Sequence, residues 1–388
     1  MSWNKQDMRY FIVLFTVFFI SPAALAQSDD YFFWSDKQLD DLQEIVDSLP
    51  SQGLGHCNIA DFSTPNSSSE PMRRSRDATL AANQLIQAHL LGCSSNSDRL
   101  YWHIEDDDKL MEMQPLLMLA LITDQVKPFF NALQPYNPNY GQLRDAYAKE
   151  EDPGKRRILA ENMERWRWMP MYLGRKYLMV NIASFEVSMW EDDQKIETWP
   201  VIVGKQQTKS PVFEASVSGV VLNPWWEIPA SIVAESVGSM LRNRPAEARR
   251  RGYVIQNGRY RQRPGPGNSL GQMKLVMPNP YSVYLHDTPS KSLFANPVRT
   301  YSHGCIRVGG AIDFAKFLLN DVATAEEVDD ILTSRETTTV SMNESIPIYI
   351  TYFTAEGADD GSIRYLPDVY RRDSNEIAQS EARTDCPA

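Results

Sequence analysis

The chain has 388 residues, 43% of them apolar and 23% charged, and a formal net charge of −11. That length and balance fit one large or two ordinary globular domains and exclude a disordered or fibrous chain. The acidic surplus speaks against a nucleic-acid partner, which would need a basic face.

Residues 1–26 read as an export signal. Lys5 and Arg9 give a positive start, Tyr10–Ile20 is almost wholly apolar, and Ala24-Leu25-Ala26 fits the small-x-small cleavage rule, with a cut before Gln27. The apolar run is short for a bilayer span and Pro22 interrupts it. Removing Lys5, Arg9 and Asp7 leaves a net charge of −12. No later stretch is apolar enough to cross a membrane, so the mature chain is expected outside the cytoplasm. Thiols pair in such a compartment unless something forbids it. Cys57 and Cys93, both near predicted helix ends, form the expected disulfide. Cys386 lies in a polar tail, 374–388, expected to fray. Cys305 is left as the thiol with a reason to stay free.

Next come the helices. Ser35, with Gln38 three residues on, predicts a capped helix over 36–50 with Leu39, Leu42, Ile45, Val46 and Leu49 on one stripe. Residues 62–76 read as loop, Asp77 as the cap of a second helix ending at Gly92, and 114–133 as helix broken at Pro128. Residues 140–148 add a further turn or two. His56, His89 and His103 stand alone and read as packed or surface histidines. A helical domain is therefore expected over 27–150.

After a charged, helix-prone stretch ending in Trp166-Arg167-Trp168, the period changes to two. Residues 176–190 alternate like a strand, Asp192-Asp193 reads as a turn, and 197–203 returns, making a hairpin. Short runs at 217–222, 273–277, 282–285 and 346–352 read as further strands, and 312–319 as an amphipathic helix. The expected fold class is α+β: a mostly β, sandwich-like domain with a few helices over 160–373, preceded by the helical domain.

Chemistry concentrates in Tyr284-Leu285-His286 and Ser302-His303-Gly304-Cys305-Ile306-Arg307. A cysteine attacks as thiolate, and its ordinary pKa of about 8.5 calls for a nearby base. Gly304 permits a tight turn that could aim the amides of Gly304 and Cys305 at an oxyanion. The cysteine is expected just before a helix, whose N-terminus would add positive potential. His303-x-Cys305 as a metal half-site lacks the companion pair that zinc requires. A buried structural thiol would sit among aliphatics, not after Ser302-His303-Gly304.

The His286 spacing and the Ser-His-Gly-Cys tetrapeptide resemble the signature of L,D-transpeptidases with a YkuD-type catalytic domain, in their larger periplasmic branch. Asn162–Pro170, Thr208–Phe213, Asn223–Trp226, Pro264–Asn268, Tyr284–Ser290, Pro347–Tyr352 and Pro367–Asp373 also resemble blocks of that family. The resemblance makes Cys305 the nucleophile and His286 the general base and acid. It gives Asp287 the role of orienting His286 through its backbone carbonyl, with its carboxylate as the lower-ranked alternative. His303 and Gly304 would shape the oxyanion site. Tyr284, Ser302, Arg307 and Trp225 are candidate substrate contacts; for Arg307 a structural ion pair, and for Trp225 plain packing, are the bland alternatives.

The implied reaction on peptidoglycan is cell-wall biosynthesis. Cys305 takes a tetrapeptide donor stem, releases D-Ala, and passes the acyl group from a thioester to the amine of a second stem, giving a 3→3 cross-link. Water as acceptor would make a carboxypeptidase or other stem hydrolase, and loss of chemistry a wall-binding protein. No metal or cofactor is implied, carbapenem sensitivity is expected, and the family places the protein in a Gram-negative periplasm. Two departures stand out. There is no room between Tyr147 and Asn162 for the usual peptidoglycan-binding module, and the lid-like segment 229–263 is short and carries Arg242, Arg244, Arg249, Arg250 and Arg251.

Overall fold

A computed structural model describes residues 32–62, 71–94, 98–105, 109 and 113–373. The segment expected to be an export signal, Cys386 and the tail lie outside them. The β-rich part is built on one ladder of strands. β1 (Trp102–His103), β2 (Lys176–Asn181), β3 (Glu186–Glu191), β4 (Gln194–Gly204) and β5 (Val212–Leu222) come first, followed by β6 (Trp226–Glu227), β7 (Tyr253–Gln256), β8 (Arg259–Gln262) and β9 (Met273–Val276). Then come β10 (Leu285–His286), β11 (Thr300–Ser302), β12 (Ile306–Val308), β13 (Thr338–Thr351), β14 (Ala355–Gly357) and β15 (Ile363–Tyr365). The main sheet runs β1-β5-β13-β2-β3-β4-β12-β10-β9, and β9 also pairs with β5, so the ladder closes on itself. Closure removes the free edges that an open sheet would expose.

The run 176–190, expected as one strand, is two. β2 and β3 are joined by a turn ending at Phe185, whose φ is +58°. The hairpin from β3 to β4 turns at Asp192 and Asp193, both at positive φ, as a two-residue turn matched to strand twist requires.

The longer helices among the described residues are α1 (Asp36–Ser48), α2 (Pro71–Leu91), α3 (Met113–Ile122), α4 (Val126–Ala132), α5 (Pro138–Tyr147), α6 (Pro153–Arg167), α7 (Ala311–Leu319) and α8 (Ala325–Ser334). Ser35 and Gln38 form the capping box of α1. Asp77, expected as a cap, instead lies inside α2, which begins at Pro71; proline is well suited to a helix start because its missing N–H has no partner there anyway. The break in 114–133 falls at Thr123–Gln125, where Asp124 has φ +56°, and Pro128 is accommodated in the first turn of α4.

Two apolar cores form. One joins α1 to α4 through Leu42, Leu49, Leu85, Leu117 and Phe130. The other fills the β domain and takes in Tyr140, Leu143, Leu159 and Met163 from α5 and α6. The expected division at residue 150 therefore moves: by packing, α5 belongs with the sheet. Cys57 and Cys93 are joined by a disulfide, with Cα atoms 5.6 Å apart. No described helix is long and apolar enough to cross a membrane.

His89 is buried in the helical part, and neither ring nitrogen has a partner among the described residues. Burial, and secondarily the Arg167 charge, lower its pKa from 6.5 to about 3. The unfolded chain binds a proton there that the folded chain refuses. Stability is thus full above about pH 6.5 and falls as pH drops toward 3, by up to about 1.4 kcal/mol per pH unit. In His89→Leu, urea midpoints measured between pH 6.5 and 4.5 should fall with a shallower slope than in wild type. An unchanged slope would refute this role.

Candidate active site

The site forms where β10 and β12 lie side by side. They run parallel, with Leu285 opposite Ile306 and His286 opposite Arg307, and the Ile306 amide donates to the Tyr284 carbonyl at 2.8 Å. Side chains alternate along a strand, and residues directly opposite share a face. Leu285, Ile306 and Val308 point into the core and are fully buried. His286 and Arg307 therefore lie on the other face, and Cys305 stands directly before β12.

His286 is buried, and its Nδ1 pairs with the carbonyl oxygen of Asp287. That contact leaves Nε2 as the other working nitrogen of the neutral ring. The Asp287 carboxylate points elsewhere: it accepts from the Gln272 amide at 2.9 Å and pairs with Lys291. A Cβ on Gly271 would come within 2.3 Å of it, so glycine is needed there, at φ +63°. The side chain of Asp287 thus clamps the loop beside the histidine while its carbonyl meets the ring.

Burial lowers the His286 pKa to about 4, with the Arg307 charge acting in the same direction and the Asp287 and Leu270 backbone opposing. Cys305 is half-buried; burial pushes its thiol up, against smaller lowering from the Tyr284 backbone and Arg307. Both shifts favour the neutral thiol and neutral imidazole at rest.

The loop carrying the cysteine is set by its neighbours. Gly304 has φ +114°, outside the range of ordinary L residues. Ser302 is buried; its hydroxyl donates to the Cys305 carbonyl at 2.5 Å and accepts from the Gly304 amide at 3.1 Å. Two expectations change. Ser302 is a clamp within the loop rather than a substrate contact. The Gly304 amide is already spent, so of the two amides expected at an oxyanion only that of Cys305 is left. The expected helix after the cysteine is also displaced. Ile306–Val308 is strand β12, and α7 starts only at Ala311, behind Gly309 and Gly310. Three residues are too few to show a period, and the helix dipole does not reach the sulfur.

His303 is partly exposed, and its Nε2 lies 3.3 Å from Glu235 in the lid-like segment. Tyr284 is outside strand β10, and the Lys274 ammonium sits over its ring at 4.8 Å. Arg307 has no carboxylate partner among the described residues, and burial pushes its pKa down, opposed by Cys305. Arg261 covers the Trp225 ring at 4.5 Å and is held there by Glu227 at 2.7 Å.

Sequence reasoning missed the second support of this loop. Ser210, fully buried, donates to the Gly304 carbonyl at 2.7 Å, and Tyr370 donates to Gly204 at 2.7 Å while accepting from the Ser210 amide. Thr208 donates to the Ser302 carbonyl at 3.1 Å. The available signal was the block 208–213, which resembles the family but carries no chemistry of its own.

The half-buried Cys305 thus directly precedes β12, and the buried, backbone-oriented His286 lies on β10, the strand paired with it. Residues 175–341 match YkuD, the L,D-transpeptidase catalytic domain. A curated Haemophilus influenzae protein named "Putative L,D-transpeptidase" is 30% identical over 236 residues, covering 55% of this chain and 48% of that protein. The chain thus spans about half the length of the curated relative it matches. An L,D-transpeptidase from Mycobacterium smegmatis superposes with a TM-score of 0.27 at 13% identity, covering 46% of this chain and 58% of that one. L,D-transpeptidase 3 from Mycobacterium tuberculosis, in complex with a faropenem-derived adduct, gives 0.24 at 13% identity, covering 46% and 60%.

Proposed function

We propose that this protein is an exported peptidoglycan L,D-transpeptidase that forms 3→3 cross-links in the periplasm. The observation that supports this reading is that Cys305 directly precedes β12, whose Arg307 lies opposite His286 of β10, within the stretch that matches the YkuD domain.

In the proposed reaction the donor stem lies over this face. His286 takes the proton of Cys305 as sulfur attacks the carbonyl between the diamino acid and the terminal D-Ala. The oxyanion is met by the Cys305 amide. D-Ala leaves as an amine, with its proton returned from the imidazolium, and a thioester remains. The side-chain amine of a second stem loses a proton to His286, attacks the thioester, and releases the thiol. Arg307, a cation without a carboxylate partner among the described residues, suits a stem carboxylate. No step calls for a cofactor. A carbapenem offers a strained acyl group to the same sulfur, so a covalent adduct is expected.

Incubation with purified disaccharide-tetrapeptide followed by mass spectrometry tests the reading. A dimer lacking one D-Ala supports it. A tripeptide alone would assign a carboxypeptidase, and recovery of unchanged substrate would leave the catalytic reading without support.

A further inference from the structure

The β6–β8 lobe differs in charge from the rest of the chain. Between Trp226 and Arg263 there are eight arginines and three glutamates, a net of +5 in a chain of −11, and no lysine. The lobe consists of the three-stranded sheet β6-β8-β7 and short helical pieces, Ala230–Ile232, Val233–Val237, Gly238–Asn243 and Pro245–Arg250. Its glutamates are all engaged: Glu227 with Arg261, Glu247 with Arg244 and Arg251, and Glu235 with His303. Arg242, Arg249, Arg250, Arg259 and Arg263 are exposed and have no acidic partner among the described residues.

This cationic surface is fastened to the candidate active site. Glu235 reaches His303 in the cysteine loop. Gln262, buried in β8, binds the Gly267 carbonyl and the Ser269 amide, and Asn268 binds the carbonyls of Pro224 and Arg263. Those contacts set the loop that ends at Gln272, whose amide holds the carboxylate of Asp287 beside His286.

We infer that the arginine lobe is a docking surface for the carboxylate-bearing peptide stems of polymeric peptidoglycan, separate from the stem in the cleft. The inference rests on the transpeptidase reading for the identity of the polymer. A carboxylate-rich polymer would be repelled by the remainder of the chain, which carries −16 once the lobe is set apart. Guanidinium groups pair with carboxylates through two parallel hydrogen bonds, which suits an all-arginine surface. A local field of one sign beside a site raises the concentration of oppositely charged substrate there.

The test uses the full mature chain carrying Cys305→Ala, so that binding is read without turnover, and purified sacculi as the probe. At low salt the parent should co-sediment, and R249E/R250E/R259E, which takes the lobe from +5 to −1, should bind about tenfold more weakly. High salt should remove most of that difference. R249Q/R250Q/R259Q should fall between the two and serves if the charge-reversed protein has an altered melting temperature. With Cys305 intact, the charge-reversed variant should turn over soluble disaccharide-tetrapeptide at the wild-type kcat. Equal sedimentation of parent and variants overturns the inference, as does equal binding to sacculi whose stem carboxylates have been amidated. Stronger binding to anionic phospholipid vesicles than to sacculi also overturns it, in favour of a membrane. Failure of the wild-type enzyme to process soluble substrate is a separate outcome and counts against the transpeptidase reading itself.

Discussion

Cys305→Ala is expected to abolish turnover of disaccharide-tetrapeptide and the covalent carbapenem adduct seen by intact-protein mass spectrometry, while leaving the fold unchanged. The side chain is half-buried and its thiol is free of any disulfide. His286→Gln should keep the thiol and lose the base, lowering kcat/KM by roughly 10⁴-fold or more, since members of such a unit fail together. The pH dependence distinguishes two forms of the site. Burial holds His286 neutral down to about pH 4. A neutral imidazole is the competent base, so the acid limb of kcat/KM should fall near 4, well below the 6.5 of an ordinary histidine. The thiol is pushed the other way, above its ordinary value. Alkylation of Cys305 by iodoacetamide should therefore keep rising as pH increases through 9. A plateau below pH 7 would mean a standing thiolate–imidazolium pair and would defeat the neutral-pair account.

The parts of this site that could be read in the sequence are those carried by short-range pattern. The Ser35–Gln38 capping box needs only a three-residue spacing, and it forms. His286 and the Ser302–Cys305 tetrapeptide are chemically distinctive residue types in a polar turn, so they stand out without a fold. The failures have physical causes of the opposite kind. Ile306-Arg307-Val308 is too short for periodicity to separate strand from helix, and only pairing with Val201, Ile202, Leu285 and His286 makes it β12. The support from Ser210 to Gly304 joins residues 94 apart, and Tyr370 arrives from 160 residues beyond Ser210. No local rule relates them. The thiol's raised pKa was missed for a similar reason: histidine and amide dipoles can be guessed from neighbours, but desolvation depends on how the whole sheet closes. The arginine lobe was visible as composition, whereas its engaged glutamates and its attachment to the Asp287 loop are tertiary facts.

Glu164→Ala is expected to destabilise the protein by about 3–5 kcal/mol, a large part of the stability of an ordinary domain. Glu164 is buried in α6 and joins the two apolar cores. Its Oε1 accepts from the amides of Cys93 and Ser94 at 2.7 and 2.8 Å and from the Ser94 hydroxyl at 2.8 Å. Its Oε2 is 3.2 Å from Arg167, which is itself fully buried and donates to the Gln52 carbonyl at 2.7 Å and to Tyr140 at 3.0 Å. Truncation would orphan two amides and leave the arginine charge without its carboxylate. Glu164→Gln keeps an acceptor for the amides and should cost less. Gly92→Ala attacks the same point from the other side: at φ +77°, its Cβ would fall 2.1 Å from Glu164 Oε1. Removing the charge partner as well, in Glu164→Ala/Arg167→Met, should recover part of the loss, because the buried cation is what makes truncation so costly. Urea unfolding with the Cys57–Cys93 disulfide intact measures each value. If the double variant is as unstable as the sum of its parts, the charge pair is not the source, and the lost amide contacts at Cys93 and Ser94 must carry the cost.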